Sequence, residues 1–114
     1  MKESELLTFS LNALKLSGLV HWRMPVGAVM HNIGGRTIRK SSPIAGFPDI
    51  AGITQDGMFF AIELKSEKGK VAPHQQAWID KLNSSMAVAR VVRTPQELLT
   101  LIQELGGKTK PPQK

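Results

Sequence analysis

The stretch from Asp49 to Lys65 constrains the fold more than any other part of the sequence. It reads as two strands, residues 49–54 and 58–65, joined through Gln55-Asp56-Gly57, where the glycine supplies the left-handed backbone that a tight hairpin needs. A three-residue turn pairs Thr54 with Met58 and sets Asp49 directly opposite Glu63, with their Cβ atoms about 5 Å apart. Side chains alternate along a strand, so one face carries Asp49, Ala51, Ile53, Phe59, Ala61, Glu63 and Lys65. The other carries Ile50, Gly52, Met58, Phe60, Ile62 and Leu64. A two-residue turn would throw Asp49 and Glu63 to opposite faces. Both faces are largely apolar, as in a sheet covered on both sides by helices.

The rest of the chain supplies that cover. Residues 3–17 place Leu6, Leu7, Phe9, Leu11, Ala13, Leu14 and Leu16 at broadly helical spacing, and Ser17-Gly18 stops the helix. Residues 19–24 are rich in β-branched and aromatic side chains and end at Pro25, which predicts a strand. Pro73 opens a helix running to about Ser84, residues 88–92 form a short strand, and Pro95 opens a last helix closed by Gly106-Gly107. The order α-β-β-β-α-β-α predicts an α/β domain, one mixed sheet flanked by helices, over residues 1–107. The basic remainder, residues 108–114 with Pro111-Pro112, is expected to be a disordered tail.

With 114 residues, 41% of them apolar and 21% charged, the chain has room for one modest core. It has no cysteine, which excludes disulfides, thiolate metal sites and cysteine nucleophiles. No stretch approaches the length of a membrane span and the start Lys2-Glu3-Ser4-Glu5 is unlike a signal peptide, so a cytoplasmic location is expected. The net charge of +6 is unevenly placed. Between His21 and Gly46 the charged residues are Arg23, Arg36, Arg39 and Lys40, with no acid among them. This long loop, with room for a small hairpin from Met30 to Ile38, suits salt-sensitive contacts to phosphates. His21, His31 and His74 show no metal-ligand spacing, and Trp22 and Trp78 read as core anchors.

Two carboxylates facing each other at a partly buried sheet end repel, and a cation that takes oxygen ligands relieves the repulsion. Mg²⁺ fits such a site, with Lys65 on the same face beside a metal-bound water able to attack a phosphodiester. Gln75 lies three, four and seven residues before Trp78, Ile79 and Leu82, so it shares their inward stripe and needs a polar partner. Gln76 points away toward Asp80. Taken singly, each residue has an ordinary explanation: a strand-end ion pair for Glu63 and Lys65, a turn residue for Asp49, a helix-start residue for Gln75.

Their order removes much of that ambiguity. Gly46-Phe47-Pro48-Asp49-Ile50, Glu63-Leu64-Lys65, Gly69-Lys70 and Pro73-His74-Gln75 resemble the PD-(D/E)XK nuclease superfamily and, within it, the VRR-NUC family. Glu5, Trp22-Arg23 followed by Gly27, and Val91-Val92-Arg93 extend the likeness over residues 3–105. The resemblance implies a restriction-endonuclease-like αβββαβ core and DNA cleavage dependent on Mg²⁺, with Mn²⁺ able to substitute. By matching position, Asp49, Glu63 and the Leu64 carbonyl would hold the metal, Lys65 would orient or activate the water, and Gln75 would support the site. Glu5 would approach from the first helix, with Glu3 the competing candidate because helical spacing does not choose between them.

Small members of this family resemble Holliday-junction resolvases. Branched DNA as substrate, a homodimer and a bacterial or phage-infected host cell are therefore expected, with no membrane and no nucleotide cofactor. Lys70 joins Arg23, Arg36, Arg39 and Lys40 as an expected DNA contact. Two competing readings are a catalytically silent nucleic-acid-binding module on the same fold and a small assembly protein. The full set Asp49, Glu63 and Lys65 argues against both.

Overall fold

A computed structural model describes residues 1–25, 29–40 and 43–109. The elements in chain order are α1 (Glu3–Ser17), β1 (Val20–Arg23), β2 (Val29–Ile33), β3 (Arg36–Lys40), β4 (Ile50–Ile53), β5 (Phe59–Leu64), α2 (Pro73–Asn83), β6 (Val88–Val92) and α3 (Pro95–Glu104). Four strands form one mixed sheet in the order β1-β4-β5-β6. The first three are antiparallel neighbours, while β5 and β6 run parallel with α2 as the crossover between them. This is the expected αβββαβ core, with the β2–β3 hairpin inserted between β1 and β4 and α3 added at the end.

The hairpin β4–β5 has the three-residue turn. Ile50 pairs with Ile62 and Ile53 with Phe59, a register that continues to Asp49 opposite Glu63. Thr54 N–H donates to the Met58 carbonyl at 2.8 Å, and Gly57 takes φ 88° in the turn. The faces divide as the alternation requires. Ile50, Phe60, Ile62 and Leu64 pack with Leu6, Leu14, Leu98, Leu101 and Ile102 from α1 and α3. Ala51 and Ala61 pack with Ile79 of α2 and with Phe47, beside Trp78 and Leu82. Small alanines on the second face bring α2 close to the sheet, which is why its polar first turn reaches the strand ends.

Three sequence expectations change. The inserted hairpin is longer than residues 30–38, and its pairs run from Val29 with Lys40 to Ile33 with Arg36. Of the expected tail, Lys108 is tied to the body, its N–H donating to the Ser17 carbonyl at 3.1 Å, and residues 110–114 lie outside the described residues. Trp22 is no core anchor. Its strand lies at the edge of the sheet beyond the reach of α2, leaving it 39% exposed, whereas Trp78 packs on the Phe47 ring at 5.1 Å. Among the described residues, no helix is long and apolar enough to cross a membrane.

Candidate active site

The C-terminal ends of β1, β5 and β6 and the N-terminal end of β4 meet at one end of the sheet. The chain enters β4 through Gly46-Phe47-Pro48. Gly46 has φ 86°, and a Cβ there would lie 2.4 Å from the His74 ring, so glycine is required for the approach to α2. Phe47 and Pro48 are buried, and together they deliver Asp49 in a fixed position. One Asp49 carboxylate oxygen accepts from the Leu64 N–H at 2.8 Å. A strand residue's N–H and C=O point to the same edge, so the Leu64 carbonyl also faces the Asp49 side.

Glu63 is only 3% exposed, and its carboxyl group stands beside that of Asp49. The Lys65 ammonium lies 3.8 Å from the Glu63 Oε2. Gln75 bridges from α2: its Oε1 accepts from Ala72 N–H at 2.9 Å, and its Nε2 donates to Glu63 Oε2 at 3.4 Å. The inward stripe thus gives Gln75 a polar partner, while Gln76 bonds Asp80 on the outside. Burial raises the Glu63 pKa from 4.5 to about 8; the Asp49 charge and hydrogen bond add to the rise, Lys65 opposes it and Glu3 contributes slightly. Burial and Asp49 therefore favour the protonated form of Glu63, and ionising both carboxyl groups calls for more positive charge than Lys65 supplies.

The α1 candidate is Glu3. It lines a cleft of about 230 Å³ with Ser4, Leu7, Arg23, Asp49 and Leu64. Glu5, expected in that role, turns back along its helix and accepts the Lys2 N–H at 2.8 Å, satisfying a free donor at the helix start. The donor set is thus all oxygen: Asp49, Glu63, the Leu64 carbonyl and, nearby, Glu3. Among the described residues no three His, Asp or Glu side chains form a ready metal cage. Two carboxylates with room for water match Mg²⁺, which keeps several waters, better than a metal that needs a complete protein shell.

Of the expected DNA contacts, Arg23 lies in the cleft. Arg36 and Arg39 stand exposed on the inserted hairpin, and Lys70 is exposed in the loop before α2. Lys40 ends β3, and its side chain lies outside the described residues. Arg93 has a role that sequence reasoning missed. Its Nη1 donates to the carbonyls of Ser66, Glu67 and Gly69 at 2.9, 3.3 and 2.6 Å, fixing the loop that follows Lys65. The available signal was an arginine directly after an apolar parallel strand, where the neighbouring strand's outgoing loop must pass.

A family model for the VRR-NUC domain matches residues 19–94. Among solved structures, one described as a VRR_NUC domain superposes with a TM-score of 0.64 at 21% identity, covering 90% of this chain and 96% of that one. No curated protein matches the sequence. The chain belongs to the VRR-NUC family of nuclease-type domains.

Proposed function

We propose that the chain is a Mg²⁺-dependent DNA endonuclease that hydrolyses phosphodiester bonds in branched DNA during replication, recombination or repair. The observation that carries this is the facing pair Asp49 and Glu63, with Lys65 and Gln75 on the same oxygen. Asp49, Glu63 and the Leu64 carbonyl would hold the divalent ion, and Mn²⁺ meets the same ligand preferences. When bound, such an ion makes a coordinated water more acidic and offsets charge developing on the phosphate.

The chain's own groups do the positioning. The Leu64 N–H fixes one Asp49 oxygen, leaving the other to face the site. Gln75 holds the Glu63 carboxylate against rotation, and the Lys65 ammonium orients the attacking water while favouring its deprotonated form. Arg23, in the same cleft as Asp49, receives the phosphate.

A homodimer would give a branched substrate two active sites related by a two-fold. Val20, Trp22 and Ile53 support it: they share one sheet face and are 60%, 39% and 40% exposed, an apolar strip suited to a second copy.

Labelled four-way junction, flap, single-stranded and duplex DNA, incubated with Mg²⁺, Mn²⁺ or EDTA, test the reading. Cleavage should require metal, favour the branched substrates and be lost in Lys65→Ala. No cleavage under any metal, or equal cleavage by the variant, overturns it. Light scattering showing only monomer at working concentration would remove the dimer.

A further inference from the structure

The β2–β3 hairpin forms a separate two-stranded sheet, and every described side chain from Met30 to Arg39 is exposed. An isolated ribbon of this size gains little from folding in water alone, so its exposed faces call for a partner. Its chemistry narrows the choice. Met30, Ile33 and Ile38 are 60%, 53% and 40% exposed, and the charged residues of the ribbon are all basic. Arg36 pairs with Ile33 and Arg39 with Met30, positions of opposite parity, so each face of the ribbon carries one arginine. Among the described residues neither arginine has an ion-pair partner.

We propose that this arm lies in a groove of the duplex flanking the phosphate to be cut, extending the nuclease reading to how the substrate is held. A groove presents phosphates on both sides, matching a ribbon with a cation on each face, and the major groove of B-DNA admits a two-stranded ribbon. The apolar side chains then meet sugars and base edges. A second copy is a poorer occupant. A two-fold contact through either face of the arm would bring that face's arginine toward the second, equally basic arm, with no acid on the arm to separate the charges.

Placement agrees. The chain leaves for the arm just after Met24, whose N–H donates to the Asp49 carbonyl at 2.8 Å, so its departure point lies at the candidate site. Strands of five residues extend about 17 Å, the rise of about five base pairs.

The test measures binding to labelled duplex and four-way junction in EDTA across salt concentrations, with light scattering on each protein. Arg36→Ala/Arg39→Ala should lower the slope of log K against log salt by about 1.8, two phosphate contacts' worth, and weaken binding about tenfold at ~0.1 M salt. Ile33→Ser/Ile38→Ser should weaken binding without changing the slope. At sub-saturating protein, cleavage of junction DNA by both variants should fall in step with their affinity for it. Unchanged affinity and slope in the arginine variant overturn the proposal. So does a fall in mass from two copies to one in either variant, which makes the arm a protein interface. If the wild type binds as described but cuts no DNA in any metal, the arm stands and the nuclease reading fails.

Discussion

Replacing Glu63 by glutamine keeps the shape of a side chain that is 3% exposed and removes its charge, so it isolates the electrostatic cost of the site. The Glu63 pKa stands at about 8 against 4.5. With the folded value raised, the stability this group contributes is present in full below pH 4.5 and is lost as pH rises through about 8. The limiting slope is about 1.4 kcal/mol per pH unit for one proton. In a domain of this size 1 kcal/mol moves the melting temperature by about 4 °C. Melting in EDTA should therefore show the wild type falling relative to Glu63→Gln by on the order of 10 °C between pH 5 and pH 8.

Subtracting the two curves cancels the carboxylates remote from the site. Adding Mg²⁺ at pH 8 should reverse the loss in the wild type. Ligand at a hundred times its dissociation constant adds about 2.7 kcal/mol, while the glutamine variant gains little. Parallel curves between pH 5 and 8 would show that Glu63 carries no such strain, and equal Mg²⁺ stabilisation of both proteins would show that it is no ligand.

Substitutions at four other positions probe the supports. Arg93→Ala leaves the Ser66, Glu67 and Gly69 carbonyls without their donor; it should cost about 2 kcal/mol in urea melts and lower cleavage, with Arg93→Lys restoring part of both. Gly46→Ala forces a Cβ into the His74 ring at a backbone φ of 86°, so a loss of about 2 kcal/mol and weaker Mg²⁺ binding are expected from displacement of the α2 first turn. Glu3→Gln should weaken Mg²⁺ binding in calorimetry by about tenfold. Glu5→Gln, altered only at the helix start, should leave it unchanged.

What the sequence made legible was whatever depended on short-range periodicity. Gly57 set the turn length, the turn length set the register, and the register alone brought Asp49 opposite Glu63. Gln75 was legible for the same reason, since its offset from Ile79 fixed its side of the helix. The Glu3–Glu5 choice was not, because both residues sit in the first turn of α1, where no preceding turn of helix anchors the phase. It was decided by a local competition: a glutamate at the third helical position can satisfy its own helix's free N–H, and Glu5 does so. That leaves the residue two places earlier to face the cleft.

Arg93 was hidden for a different reason. Its acceptors lie 24 to 27 residues away, in a loop whose path is set by the parallel pairing of β5 with β6. The same parallel pairing connects the two halves of the site. Lys65 N–H donates to the Val92 carbonyl, and Arg93, the next residue, clamps the loop beyond Lys65. The backbone carrying Lys65 is therefore held on one side by β6 and on the other by the arginine that follows it, neither of which contributes a group to the chemistry itself. Losses of activity in Arg93 variants should accordingly track the position of Lys65 rather than the affinity of the carboxylate pair for metal, and calorimetry with Mg²⁺ beside single-turnover cleavage separates the two.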